Sequence, residues 1–88
     1  LFYGGRDELC ARLCAALFEQ HGHPEAAYNA ACAHVRLGAL DEADRWLERA
    51  AGAGYSDAAG LESDEDLAPL RGREAFARAL AQVRRNAG

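Results

Sequence analysis

The 88-residue sequence contains no isoleucine, no threonine and no lysine. β-Branched residues are therefore nearly absent, and with them most of what favours a pleated sheet. No apolar run approaches the ~20 residues needed to cross a bilayer, and no signal peptide is visible. A concentrated basic patch is missing too. The net charge is −4, and arginines and acids are interspersed along the chain, which argues against nucleic acid or an anionic membrane as partner. Cysteine is sparse: Cys10, Cys14 and Cys32 are odd in number and fall inside helical patterns, which points to reduced, buried thiols and a cytoplasmic setting. The chain starts at Leu1 without a methionine, so a leader or an upstream domain is compatible with it. What remains is half apolar, mostly alanine and leucine, the best helix formers. With arginine as the sole basic residue besides histidine, this composition has the look of a GC-rich bacterial coding sequence. A chain of this length is one small domain, burying roughly 60–65% of its unfolded surface.

Helical spacing organises the first 54 residues. Leu9, Leu13, Ala16 and Leu17 predict a helix over 7–20, opened by Asp7 and Glu8, where acids suit the helix dipole. Gly22 ends it. Pro24 opens a second helix, to about Leu37, where its missing N–H costs nothing; Gly38 is its stop. Ala27, Ala30, Ala31, His34 and Leu37 form its inner stripe. A third helix runs from Asp41 to about Ala51 and buries Ala43, Trp46, Leu47 and Ala50. The short link Gly38–Leu40 makes the second and third helices an antiparallel hairpin. Offsetting the chain by 34 residues lays Gly4 on Gly38, Asp7 on Asp41, Glu8 on Glu42, Leu9 on Ala43, Leu13 on Leu47 and Ala16 on Ala50.

Tyr28-Asn29-Ala30-Ala31-Cys32-Ala33-His34, then Arg36-Leu37-Gly38, Asp41-Glu42-Ala43 and Leu47-Glu48-Arg49-Ala50 together resemble a complete tetratricopeptide repeat. His34 departs from the family's usual tyrosine and Tyr55 from its usual proline. The resemblance implies an all-α fold of antiparallel helix-hairpin repeats, a fragment of a right-handed solenoid. Residues 4–21 would be the second half of a preceding repeat, whose first helix survives only as Leu1-Phe2-Tyr3, and residues 24–54 a full hairpin. Residues 55–88 fit the repeat poorly. Ser63-Asp64-Glu65-Asp66 is rich in capping residues, and a last helix over about 73–86 buries Phe76, Ala77, Leu80 and Val83. The string from Asp66 to Phe76 is similar to the segment that closes many bacterial arrays of this family, covering the last repeat's apolar face.

Candidate chemistry is thin. Cys10, Cys14 and His21 share a stripe, but Cys14 and His21 lie roughly 10 Å apart along a helix axis, too far for one ion. Cys32 and His34 point in opposed directions on their helix and cannot act as nucleophile and base. No phosphate loop, nucleophile elbow or calcium-loop spacing occurs. No enzyme, no metal and no cofactor are expected.

Surface is the remaining candidate. By the resemblance, the second helix lines a partner-binding groove with Glu25, Tyr28, Asn29, Cys32, Val35 and Arg36, receiving a peptide or helix of another protein. A second face is suggested by the first helix, where Leu9, Cys10, Leu13, Cys14, Leu17 and Phe18 span more of the circumference than one neighbour needs. An upstream domain, a partner protein or a second copy of the chain, giving a homo-oligomer, would cover it. The expected function is a protein–protein interaction or scaffolding module. The alternatives are a regulatory appendage of an enzyme lying upstream and, behind it, a thiol-based redox or metal sensor.

Overall fold

The computed structural model describes residues 2–88, with side chains from Gly5 onward. It is all-helical: α1 (Phe2–His21), α2 (Pro24–Arg36), α3 (Leu40–Gly52), α4 (Ala58–Ser63), a 3-10 turn (Glu65–Leu70) and α5 (Glu74–Ala87). No strand occurs among the described residues. The composition accounts for this, since alanine, leucine, arginine and glutamate are strong helix formers.

Helix boundaries follow local chemistry. Gly22 and Gly38 terminate α1 and α2 with φ of 69° and 79°, the left-handed conformation that glycine adopts without a Cβ penalty. Pro24 stands in the first turn of α2, and Asp41 and Glu42 in the first turn of α3. His23 takes the cap position of α2 but makes no side-chain cap bond; its ring stacks on His21 instead, 5.6 Å between centroids. Asp57 caps α4 by accepting from the Gly60 N–H at 2.9 Å, and Asp64 caps the 3-10 turn by accepting from the Asp66 N–H at 3.0 Å.

One boundary differs from expectation. The resemblance assigns residues 1–3 to an upstream helix and the spacing starts the next at Asp7, yet α1 runs unbroken from Phe2 through Gly4 and Gly5. Glycine inside a helix costs only about 1 kcal/mol relative to alanine, and a long helix tolerates it. Phe2 and Tyr3 therefore belong to α1, and Leu1 lies outside the described residues.

The core is built on small residues. Ala27, Ala30, Ala31, Ala43 and Ala50 are fully buried, which lets α2 approach its neighbours closely. Leu47, Leu61, Leu67, Leu70 and Val83 fill the remaining volume. Helix α2 packs against α1 on one side and α3 on another; α5 covers a further face of α3. In α5, Phe76, Ala79 and Val83 are buried, while Ala77, expected inside, faces solvent and Leu80 is half-buried. A fourth contact lays the 3-10 turn across α2.

Candidate functional site

Two surfaces carry the residues singled out by sequence. On α2, Tyr28, Cys32 and Arg36 follow one another at intervals of four and so form a line along one face. That line is covered by the chain's own tail. The Tyr55 ring stacks on Tyr28 with centroids 4.6 Å apart and planes 7° from parallel. The Tyr28 hydroxyl donates to Asp64. Arg36 donates through Nε to Asp7 of α1 at 2.8 Å and through Nη1 to Asp66 at 3.4 Å. Arg71 ties the segment down by donating to the Asp64 carbonyl at 2.8 Å.

Burial and charge shape the protons here. Desolvation, then the hydrogen bond to Asp64, pushes the Tyr28 phenol well above its usual range. Burial, then the carboxylates of Asp64 and Asp66, pushes the Cys32 thiol up to about 12. The hydrogen bond to Asp7 holds the Arg36 guanidinium more firmly charged. A thiol this basic is the reverse of an activated nucleophile, which needs its thiolate populated near neutrality.

Of the six groove residues, Glu25, Asn29 and Arg36 are exposed, Val35 is half-buried, and Tyr28 and Cys32 are buried. The structure thus brings Tyr28, Cys32 and Arg36 together, but around Asp64 and Asp66 of the same chain. Leu61, Leu67 and Leu70 have no exposed surface, so the covering segment is anchored in the core. The cluster also unites Cys32, Asp64 and Asp66, whose ligand atoms lie within 4.8 Å of one another. One sulfur and two oxygens form a donor set that zinc accepts. Here, however, Asp64 already accepts from Tyr28 and from the Asp66 amide, and Asp66 faces the Arg36 cation. The arrangement holds protons and an arginine, and an incoming cation would have to displace them. Sequence reading had no route to this cluster, because Cys32 and Asp64 are far apart in the chain and only the fold joins them.

The second surface is on α1. Leu9, Leu13 and Leu17 are 55%, 55% and 48% exposed, and they are the exposed large hydrophobic side chains among the described residues. At intervals of four they make one ridge down the helix. The rest of the set expected there points elsewhere. Phe18 turns inward and meets Trp46 edge-on, 5.8 Å between centroids. Cys10 and Cys14 sit half-buried at the boundary, their sulfurs 3.8 Å apart, and burial raises the Cys14 thiol. A surface hollow of about 500 Å³ opens beside Cys10, lined also by Arg6, Asp7 and Arg36.

No helix of the described residues is long and apolar enough to cross a membrane. No family model, no curated protein and no solved structure matches the chain.

Proposed function

We propose that this chain is a protein-interaction module of the tetratricopeptide kind, and that it engages a partner helix through the outer face of α1. The observation that carries this reading is the exposed ridge Leu9–Leu13–Leu17. Isolated exposed leucines are ordinary on protein surfaces, but three in register along one helix form a contiguous apolar strip that water covers poorly. An amphipathic helix from a partner buries such a strip through its own apolar residues at i, i+3, i+4 and i+7.

The α2 face supports partner binding less well. Its tyrosine, cysteine and arginine are already engaged by the tail, leaving Glu25 and Asn29 as the free part of that groove. Capture of proteins from a lysate of the source organism tests the assignment. Leu13→Glu should abolish capture of the partner recovered by the wild type, and Asn29→Ala should leave it unchanged. The opposite pattern would return the site to α2.

A further inference from the structure

We infer that Cys32, Asp64 and Asp66 form a three-ligand zinc site that clamps the 3-10 turn onto α2. Their sulfur and carboxylate oxygens all lie within 4.8 Å of one another. Neighbouring ligands of a tetrahedral zinc stand roughly 3.3–3.8 Å apart, given bond lengths of about 2.0–2.3 Å. Small rotations of the aspartate side chains close the difference, and Asp66 is exposed and has room to turn. Cys32 is only 6% exposed, and its thiol takes no part in the hydrogen bonds that tie this cluster together. A buried sulfur without a partner, aimed at two carboxylates, sets the cluster apart from an ordinary acidic surface.

The donor set selects the ion. Magnesium and calcium seek six or more oxygens and copper(I) prefers sulfur, whereas zinc takes thiolate and carboxylate together. Charge points the same way. The three carboxylates of Asp7, Asp64 and Asp66 meet two cations bonded to the same residues, Arg36 and Arg71. Zinc with the Cys32 thiolate adds one net positive charge and brings the cluster to balance.

Asp64 is already held as a ligand would be. It accepts from the Tyr28 hydroxyl and the Asp66 amide, the outer bonding that orients a metal-binding carboxylate, and its oxygens keep further lone pairs. What the ion displaces is the Cys32 proton and the Arg36 Nη1 contact to Asp66 at 3.4 Å, while Arg36 keeps its 2.8 Å bond to Asp7. On binding, the Cys32 S–H bond breaks, its proton passes to solvent, and the sulfur's electron pair makes the Zn–S bond. Water takes the fourth tetrahedral position. Because Cys32 stands on α2 and both aspartates at the start of the 3-10 turn, the ion bridges segments distant in sequence and stabilises the folded chain by mass action.

Metal titration of the whole chain tests the inference, in a Cys10→Ser, Cys14→Ser background that removes the other thiols. Zinc should bind as one ion per chain with release of one proton, read by calorimetry in buffers of different ionisation enthalpy. Cobalt(II) in its place should give a thiolate-to-metal charge-transfer band in the near ultraviolet. At about ten times its Kd, zinc should raise the thermal midpoint by roughly 5–10 °C. Cys32→Ser should abolish the cobalt band. Asp66→Asn, at an exposed position, should keep the circular dichroism of the parent and weaken zinc binding at least about tenfold. Absence of the cobalt band in the parent overturns the inference, as does unchanged zinc affinity in Asp66→Asn. An equal rise in midpoint with magnesium also overturns it, by reducing the cluster to an acidic surface that attracts any divalent cation.

Discussion

Helices α1 and α3 stand 34 residues apart in the chain and present the same pattern, yet the protein treats them in opposite ways. Leu9, Leu13 and Leu17 of α1 correspond to Ala43, Leu47 and Ala51 of α3. The former are 55%, 55% and 48% exposed, the latter 0%, 1% and 2%. The same leucine position is thus core in one helix and surface in the other. What differs is the neighbour: α2 and α5 enclose α3, whereas among the described residues α1 packs mainly against α2. The borders differ as well. Trp46, buried on α3 and stacked under Arg49 at 4.6 Å, corresponds to the exposed Arg12 on α1. The leucine strip of α1 is thus bordered by a charged side chain where α3 continues its apolar face with an indole.

The comparison breaks most visibly under truncation. Leu47→Ala should cost about 3 kcal/mol, the transfer of a buried leucine plus the cavity it leaves. Leu13→Ala should change stability by no more than about 0.5 kcal/mol in dilute solution. Urea denaturation of both variants measures the contrast, and equal losses would mean that α1 is covered in the isolated chain.

A smaller effect sharpens the contrast through pH. Under the tail, Cys32 keeps its proton to about pH 12, against 9.0 for an ordinary cysteine, and Tyr28 is raised in the same direction. The unfolded chain loses these protons first. Stability is therefore fully present below pH 9 and is lost as pH rises toward 12, with a slope of up to about 1.4 kcal/mol per pH unit for each group. Cys32→Ala should flatten the loss that begins near pH 9, leaving there only the contribution of the raised Cys14 thiol, with Tyr28 adding its own from about pH 10. Thermal melts between pH 8 and 11 test this; a wild-type midpoint that does not fall would refute the protonated cluster.

The smallest effects distinguish the two glycine contexts. Gly38 holds a φ of 79°, and Gly38→Ala should cost about 1 kcal/mol because a Cβ is strained there. Gly5 lies inside α1, with open space where an added methyl group would stand. Gly5→Ala should instead stabilise by about 0.5–1 kcal/mol. Chemical denaturation measures both, and a loss at Gly5 would show that α1 does not persist to its N-terminal end.

Much of the fold was legible from local signals. Pro24, Gly22, Gly38 and the acids at 41–42 are sharp punctuation, and the apolar periods of α3 and α5 are strong, so these helices fall close to where they were expected. The start of α1 was not legible, because Gly4 in a helix and Gly38 in a turn are the same letter; only the continuity of the backbone tells them apart. The α2 face illustrates a deeper limit. Helical spacing sets Tyr28, Cys32 and Arg36 on one line, but it contains no information on what lies opposite, and Tyr28 and Cys32 are buried there. That depended on Asp64 and Asp66 returning across α2 at the end of an irregular segment, held by Leu61, Leu67 and Leu70.

Sequence by itself therefore determined that this protein is helical, where most of its helices begin and end, and which residues share a face, because capping, glycine conformation and a 3.6-residue period act over a few neighbouring residues. Only the tertiary structure decided which faces are covered. It closed the aromatic and acidic cluster over α2 and left the leucine ridge of α1 bare, because burial depends on residues distant in sequence that packing brings together.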